Sequence, residues 1–292
     1  MKSLLNIRDL NKKEFFEILN YADLLSTNHE PILKNKNIGL IFEKNSTRTR
    51  LSFQVGIKQL SGNYIDIKLD ELNLQRVESF EDTFEIMSCY LDALIFRTTD
   101  HKKLELALNY FKKPIINALS DLSHPCQSIS DIYTLREHFQ REDNFKIIWC
   151  GDLNNVLFSL LEALKFLEKS KIDIFTDKNI YNSKVNLFPN ANNISYHFEI
   201  EDSIFKDADC IMTDVYNSMN DKENKESVLK KFQVNVNMMN KSSDKTVFMH
   251  CLPAKIGLEV TNEVIKGPKS ITLKQAKNRM IAQRGILKWL DL

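Results

Sequence analysis

Short apolar runs alternate with helical patterns along the whole chain, and this alternation constrains the fold more than any other feature. Runs of strand length lie at 38–42, 64–67, 93–97, 114–118, 146–150, 171–175, 195–198, 210–213 and 246–250. Helical patterns lie at 11–25, 48–60, 79–90, 102–111, 130–139, 155–168, 224–233 and 275–290. Strands that alternate with helices predict parallel sheets covered by helices on both faces.

A polar, charged break at 140–144 divides this alternation into two halves. Each half has about 130 residues, which is a common domain size. We therefore expect an α/β protein of two doubly wound parallel-sheet domains, at 1–140 and 141–274. We expect the final helix, about 275–292, to pack back on the first domain.

Composition excludes several classes of function. The chain has 40 basic and 39 acidic residues and a net charge of +1, so neither nucleic acid nor an anionic membrane is an expected partner. No apolar run approaches the ~20 residues of a membrane span. The first nine residues contain no signal peptide pattern. Five scattered cysteines without a Cys-x-x-Cys pair predict neither disulfides nor structural zinc, and favour a cytoplasmic location. The chain has only seven glycines, and this low number argues against a glycine-rich dinucleotide-binding fingerprint.

The stretch between Phe42 and the helix at 48–60 concentrates hydroxyl groups and cations. These are Ser46, Thr47, Thr49, Lys44, Arg48 and Arg50. Free N–H groups at a helix N-terminus favour an anion, and hydroxyl donors with planar guanidinium groups suit a phosphate. The stretch therefore indicates a phosphate site. An ordinary helix with a serine N-cap and solvated arginines is the alternative, which residue types alone leave open.

Six polar clusters each follow a predicted strand. They lie at 46–50, 97–101, 120–127, 151–155, 214–219 and 250–253. Ligands of parallel α/β sheets bind beyond the carboxyl ends of the strands. Three clusters in each half therefore predict two facing sheets with an active-site cleft between them.

The first half supplies groups for a phosphate and a carbonyl. Arg48 and Arg97 can each form paired hydrogen bonds with either. His124 and Gln127 would share one face of a helix that begins near Pro125, and both can hydrogen-bond a carbonyl and an amide. A salt bridge for Arg97, and a helix cap or a core position for His124, remain as alternatives.

The second half supplies groups for an ammonium and a carboxylate. Asp214 can hold an ammonium group and Asn155 can donate to a carboxylate. Helix capping by Asn154 or Asn155, and a turn at Asp214, are the alternatives. Cys251 could be a nucleophile, a metal ligand, a polar wall or an inert thiol. His250 is expected on the opposite side of its strand, so that the two cannot form a local dyad.

These motifs resemble those of the aspartate and ornithine carbamoyltransferases. The sequence FEKNSTRT at 42–49 is similar to the family's carbamoyl phosphate signature, and HPCQ at 124–127 to its second motif. DVYNSM at 214–219, HCLP at 250–253 and KNRMIAQ at 277–283 resemble the ornithine branch in particular. The resemblance spans essentially the whole chain, with the motifs in the family's order.

The resemblance implies transfer of a carbamoyl group from carbamoyl phosphate to the side-chain amine of L-ornithine, giving L-citrulline and phosphate in arginine biosynthesis or degradation. The implied carbamoyl phosphate residues are Ser46, Thr47, Arg48, Thr49, Arg97, His124, Gln127, Cys251, Leu252 and Arg279. The implied ornithine residues are Asn155, Asp214, Ser218 and Met219. The implied catalytic residues are Arg48, Arg97, His124, Cys251 and Arg279, with Cys251 as an orienting group rather than a covalent nucleophile. A homotrimer is implied as well. Amine attack on this carbonyl needs charge stabilisation and alignment, so we expect no metal and no cofactor.

Two departures from the family pattern keep other functions open. Asn220 stands where relatives have glycine, and residues 73–78 lack the glycine of a loop that reaches a neighbouring subunit in relatives. A carbamoyl-phosphate-binding protein without turnover is thus one alternative. Another is an enzyme for an amine such as putrescine, which Asp214 and Asn155 oppose because putrescine has no α-carboxylate. A cysteine hydrolase that uses Cys251 is the remaining alternative.

Overall fold

The computed structural model describes residues 2–72, 78–217 and 224–292. Within these ranges, no helix has the length and apolar character that crossing a membrane requires. The chain divides into two compact units. Unit 1 comprises Met1–Tyr133 with Asn278–Leu292, and unit 2 comprises Thr134–Lys277.

Unit 1 is built on a four-stranded parallel sheet in the order β2-β1-β3-β4. Its strands are β1 (Asn37–Phe42), β2 (Asn63–Ile67), β3 (Ala93–Arg97) and β4 (Ile115–Leu119). Its helices are α1 (Lys12–Thr27), α2 (Thr47–Gln59), α3 (Phe80–Tyr90), α4 (His101–Tyr110) and the first part of α5 (Pro125–Phe139). Most residues of β1, β3 and β4 are buried, as expected for strands covered on both faces.

Unit 2 is built on a five-stranded parallel sheet in the order β7-β6-β5-β8-β9. Its strands are β5 (Lys146–Cys150), β6 (Lys171–Phe175), β7 (Ile194–His197), β8 (Cys210–Thr213) and β9 (Val247–His250). Its helices are α6 (Asn155–Leu164), α7 (Lys178–Lys184), α8 (Asp202–Phe205), α9 (Glu226–Leu229), α10 (Val236–Asn240) and α11 (Asn262–Ile265). The two parallel sheets confirm the predicted fold class.

The last helix, α12 (Thr272–Leu290), contributes its residues from Asn278 onward to unit 1. Gly285 explains how α12 lies against α1. A Cβ atom at Gly285 would stand 2.5 Å from the carbonyl oxygen of Ile18 and 2.9 Å from the backbone nitrogen of Ala22. Only a residue without a side chain permits this approach of the two backbones.

The helices differ from the predicted ones mainly where they are short. The four helices α7, α8, α10 and α11 are absent from the prediction, and each has between one and two buried residues. So few apolar positions produce no helical period in the sequence. The start of α5 at Pro125 confirms the helix predicted to begin there, and this helix is continuous with the helical pattern at 130–139. In contrast, α6 ends at Leu164 rather than 168. The predicted helix at 224–233 is the short α9 followed by a 3₁₀ turn, Lys230–Phe232.

Candidate active site

The strand order of unit 1 places two of the predicted clusters side by side. The chain enters the sheet at β1 and adds β2 on one side and β3 on the other. Crevices for ligands open at such switch points, beyond the carboxyl ends of the strands. Phe42 at the end of β1 is in register with Arg97 at the end of β3. The turn that follows β1 and the guanidinium-bearing end of β3 therefore share one edge of the sheet.

The turn after β1 leads directly into α2, with Ser46 at the N-cap position. The Ser46 side chain makes no capping hydrogen bond to the helix. The alternative that Ser46 serves as an ordinary N-cap of the helix is therefore wrong. Thr47 is exposed, Arg48 is half-buried and Thr49 is buried. The hydroxyl groups thus surround a helix N-terminus, where the helix dipole favours a bound anion.

Arg50 stabilises this turn through an ion pair. Its Nη2 atom lies 2.9 Å and its Nε atom 3.1 Å from Oδ1 of Asp66. Its guanidinium group also lies over the ring of Phe42, 5.9 Å from the ring centroid. These contacts give Arg50 a structural role beside the turn.

Glu43 makes contacts beside this turn that the sequence reasoning missed. Its Oε2 accepts hydrogen bonds from the Thr98 hydroxyl at 2.7 Å and from the Thr99 backbone N–H at 3.0 Å. Its Oε1 accepts from Lys103 Nζ at 2.6 Å. Burial opposes ionisation, but the bonds from Lys103, Thr98 and Thr99 outweigh it and lower the pKa of Glu43. Glu43 thereby connects the turn between β1 and α2 to the loop after β3. Its only signal in the sequence was its place inside the motif.

Arg279 brings together residues that are far apart in the sequence. From α12 it donates through Nη2 to Oε1 of Gln127 and through Nη1 to Oγ1 of Thr49 at 3.4 Å. Gln127 is fully buried and donates through Nε2 to Oδ1 of Asp131 at 2.6 Å. One guanidinium group thus links α2, α5 and α12 within unit 1.

His124 stands at the start of α5. Its carbonyl oxygen accepts from the backbone N–H groups of Gln127 at 3.0 Å and Ser128 at 3.2 Å. The residue is 3% exposed. Burial, followed by the charges of Arg279 and Arg97, holds the pKa of His124 well below its ordinary value. The imidazole is therefore neutral near pH 7, and a neutral ring can donate an N–H to a carbonyl without carrying a charge.

Cys126, next to His124, has none of the properties of a reactive thiol. Its Sγ atom is buried and donates to the carbonyl oxygen of Asn117 at 3.4 Å. Burial raises the pKa of Cys126 to about 12. A thiol that stays protonated is neither a nucleophile nor a metal ligand.

Unit 2 also gathers its clusters at a switch point, because β5 lies between β6 and β8. Asn154 and Asn155 follow β5, and Asp214 follows β8. Asn154 caps α6, since its Oδ1 accepts from the backbone N–H groups of Val156 and Leu157, both at 3.1 Å. Asn155 is the first residue of α6 and is half-buried. The capping alternative therefore holds for Asn154 and not for Asn155.

Asp214, His250 and Cys251 form a compact group. Their potential ligand atoms all lie within 4.8 Å of one another. The prediction that His250 and Cys251 lie on opposite sides of one strand is wrong, because Cys251 lies beyond the end of β9. Strand β9 ends at His250, and Leu252 has a positive φ of 58°, so the alternation of a strand does not extend to Cys251.

The ring of His250 is nevertheless engaged elsewhere. Its Nδ1 accepts from the Leu252 backbone N–H at 2.9 Å, and its Nε2 lies 3.2 Å from Oε1 of Glu259. Cys251 Sγ instead donates to Oδ1 of Asp214 at 3.1 Å. No Cys–His dyad forms, as predicted. A metal ion bound by the three residues would have to displace these bonds, so the donor set does not fit zinc.

Glu259 is the second residue that the sequence reasoning missed. It is fully buried, and its Oε1 accepts from the Lys255 backbone N–H at 2.6 Å as well as facing His250. Because His250 Nδ1 accepts a hydrogen bond, its Nε2 carries the proton and donates to Glu259. This chain of bonds holds the loop that carries Leu252 and Cys251. The sequence contains no local signal for Glu259.

Asp152, inside the cluster at 151–155, has a structural role. It is 2% exposed and pairs with Lys184 Nζ at 3.0 Å and Lys225 Nζ at 2.9 Å. Burial raises the pKa of Asp152, and the two lysines oppose that effect. The remaining predicted ornithine residues, Ser218 and Met219, lie outside the described residues, as do Asn220 and positions 73–77.

Two models of known protein families match the chain. Residues 2–137 match the model of the carbamoyl-P binding domain of aspartate/ornithine carbamoyltransferases, and residues 143–290 match the model of the Asp/Orn binding domain. The chain belongs to the aspartate/ornithine carbamoyltransferase family. The resemblance read from the motifs is thereby confirmed.

Relatives within this family are similar to the chain over its full length. An ornithine carbamoyltransferase of Methanococcus maripaludis is 38% identical over 300 residues, which cover 98% of each protein. The solved ornithine carbamoyltransferase from Pyrococcus furiosus superposes with a TM-score of 0.87 at 33% identity, covering 98% of this chain and 96% of that one. The anabolic ornithine carbamoyltransferase from Campylobacter jejuni gives a TM-score of 0.88 at 31% identity, covering 100% and 99%.

Proposed function

We propose that the protein transfers the carbamoyl group of carbamoyl phosphate to the side-chain amine of L-ornithine and releases L-citrulline and phosphate. The observation that carries this proposal is the full-length similarity to ornithine carbamoyltransferases, at 38% identity over 98% of both chains in one case. The two half-sites, one in each unit, supply the groups that such a reaction needs. We further assign carbamoyl phosphate to residues 1–140 and ornithine to residues 141–274, in keeping with the two matched family models.

The N-terminus of α2 is the proposed phosphate site. Ser46, Thr47 and Thr49 offer hydroxyl donors beside the first helical turn, whose backbone N–H groups have no acceptor within the helix itself. Arg48 and Arg97 add guanidinium groups that can form paired hydrogen bonds with phosphate oxygens. Phosphate is also the leaving group, so these donors stabilise the negative charge that grows on it as the C–O bond breaks.

We propose that the carbonyl oxygen and the amide of the carbamoyl group bind at the group formed by His124, Gln127 and Arg279. A neutral His124 and the cationic Arg279 can both donate to the carbonyl oxygen as it takes up charge in the tetrahedral intermediate. The buried Gln127 can bond the carbamoyl amide. The contact of Arg279 with Thr49 places this group beside the phosphate turn.

Unit 2 supplies the proposed ornithine site. Asn155 at the start of α6 donates to the α-carboxylate, and Asp214 binds the α-ammonium group. Ser218 and Met219 complete this site in the proposal. Cys251 and the carbonyl oxygen of Leu252 line the place where the side-chain amine attacks. This amine must lose its proton first, and desolvation beside cations favours the neutral form.

We also propose a homotrimer in the cytoplasm that serves arginine biosynthesis. Two exposed apolar side chains support the association: Leu51 and Val55 lie four residues apart on α2, with exposures of 53% and 44%. Residues four apart share one face of a helix, so this pair can be covered by a second copy of the chain. Sedimentation should give three times the 34.0 kDa of one chain. The biosynthetic assignment is supported by the anabolic relative from Campylobacter jejuni.

The proposed reaction is tested by measuring citrulline with ornithine and with putrescine as acceptors. Ornithine should be the preferred acceptor, and Arg48→Ala should lower kcat by about 10²–10³-fold or more, as the loss of one charge-stabilising donor does. Arg8→Ala, at an exposed arginine of the same unit, is the matched control and should leave the rate unchanged. Faster turnover of putrescine would replace ornithine as the substrate. Binding of carbamoyl phosphate without citrulline formation at any pH would indicate a protein that binds and does not catalyse.

A further inference from the structure

Asn154 uses the two ends of one amide for two different purposes. Its Oδ1 accepts from the backbone N–H groups of Val156 and Leu157, both at 3.1 Å. Its Nδ2 donates to Oδ2 of Asp214 at 2.8 Å. An oxygen is required to accept two N–H groups, so the orientation of the amide is decided by the helix cap, and the N–H₂ end necessarily faces Asp214.

Asp214 is held at both of its oxygens. Oδ2 accepts from Asn154, and Oδ1 accepts from Cys251 Sγ at 3.1 Å. The residue is only 7% exposed. A carboxylate held on two sides cannot rotate about its last bond without losing one of these contacts. The direction of its remaining lone pairs is therefore set by Asn154 and Cys251.

The substrate imposes a matching constraint. The α-carboxylate and the α-ammonium of an amino acid are attached to one carbon atom, so their protein partners must keep a constant separation. The proposed partners are Asn155, the first residue of α6, and Asp214, which follows β8. Asn154 contacts both sides of this pair, because it caps α6 and bonds Asp214.

We propose that Asn154 is a positioning residue that makes the site selective for an α-amino acid over a simple diamine. This proposal rests on the roles proposed for Asn155 and Asp214. It holds that Asn154 fixes the distance between the group that binds the α-carboxylate and the group that binds the α-ammonium. The residue does not touch the reacting atoms and acts through Asp214. Its loss weakens recognition of the amino-acid end of ornithine and leaves carbamoyl phosphate binding intact.

The test separates the two ends of the amide. Asn154→Ser keeps a side chain that caps helices well but is too short to reach Asp214. Asn154→Asp keeps the cap and the size of the side chain, and replaces the N–H donor by a carboxylate oxygen that faces the carboxylate of Asp214. Asn235→Ser is the matched control, because Asn235 caps α10 in the same unit by accepting from the Met238 N–H at 3.0 Å.

Both Asn154 variants should raise the KM for ornithine by about 10- to 100-fold, the range of one lost hydrogen bond to a charged group. The KM for carbamoyl phosphate should stay within about twofold, since no substrate contact in unit 1 changes. The rate ratio of putrescine to ornithine should rise. Asn154→Asp should show the larger effect, because like charges repel across the former hydrogen bond. Asn235→Ser should match the wild type in all these measurements.

The inference is overturned if Asn154→Ser and Asn154→Asp both fold, as judged by thermal unfolding, and both retain the wild-type KM for ornithine. It is also overturned if the KM values of both substrates rise in parallel, because that is the result of a purely structural cap. Should Asn154→Ser fail to fold, Asn154→Asp decides alone. A wild-type protein that makes no citrulline would refute the proposed function itself, so the two failures are distinguishable.

Discussion

Replacement of Glu43 by Gln tests whether the turn between β1 and α2 depends on its hydrogen bonds to the loop after β3. The substitution keeps the size of the side chain and removes its charge. The Gln carbonyl oxygen can still accept from Thr98 and Thr99 if the amide N–H₂ turns toward Lys103. The variant therefore loses the ion pair with Lys103 and the ionic part of two hydrogen bonds of 2.7 Å and 3.0 Å.

The size of the effect follows from these contacts. Hydrogen bonds to charged groups contribute about 1.5–3 kcal/mol each, and charged ones are about twice as strong as neutral ones, so each of the two bonds loses about 1 kcal/mol. The Lys103 side chain is 43% exposed, and such ion pairs contribute at most about 1 kcal/mol. The free energy of unfolding of unit 1 should fall by about 2–3 kcal/mol at pH 7, which for its size lowers Tm by roughly 4–10 °C.

The effect should depend on pH in one direction. The pKa of Glu43 is lowered in the folded state from its ordinary 4.5. Above pH 4.5 the carboxylate is charged in both states and its stabilising contribution is complete. As pH falls below that value, the unfolded chain takes up a proton before the folded one, so stability is lost. The difference between the wild type and Glu43→Gln should therefore shrink as pH falls through the lowered pKa.

Urea or thermal unfolding, followed by circular dichroism at several pH values, measures this difference. The KM for carbamoyl phosphate should rise several-fold, while that for ornithine should not. Glu71→Gln is the control, because Glu71 and Lys68 form an ion pair with side chains about 60% exposed (62% and 61%), which contributes about 0.5 kcal/mol or less. If Glu43→Gln at pH 7 is no less stable than Glu71→Gln, or if its pH dependence matches the wild type, the reasoning is refuted.

Two further substitutions test the electrostatics and the chemistry. Burial beside Arg279 and Arg97 lowers the pKa of His124, so the unfolded state binds the proton first as pH falls below about 6.5. Relative to His124→Gln, the wild type should lose up to ~1.4 kcal/mol per pH unit in that range, measured from urea midpoints at pH 7.5 and 5.5. Cys251→Ser should keep about 1% or more of the citrulline-forming activity, because a hydroxyl can donate to Asp214 as the thiol does; loss of a covalent nucleophile would cost about 10⁴-fold or more.

The strands and the motifs at their ends were predictable because they depend on local sequence. The strands Ala93–Arg97, Lys146–Cys150, Lys171–Phe175 and Cys210–Thr213 have their predicted bounds. Strands buried on both faces need continuous apolar runs, which polar residues then end. The same pattern placed each candidate cluster at a carboxyl end, where sheets of this kind bind ligands.

The partners of buried polar groups followed from the tertiary structure alone. Arg279 contacts Gln127 across 152 positions of the sequence, and Glu43 accepts from Thr99 across 56. No periodicity relates such positions, because their proximity depends on how helices and strands pack. The same holds for Glu259 beside His250, and for Cys251, whose direction changed where β9 ended and Leu252 adopted a positive φ.

The amino-acid sequence by itself thus determined which residue types are available, where strands end and to which family the chain belongs. Tertiary structure decided which of these groups meet and which protonation state burial imposes on them. Asn154 shows the difference most clearly: a helix cap by its sequence, and a donor to Asp214 only once β5 and β8 lie side by side. The physical reason is that a hydrogen bond acts over about 3 Å, a distance that only the packed chain sets for residues 60 positions apart.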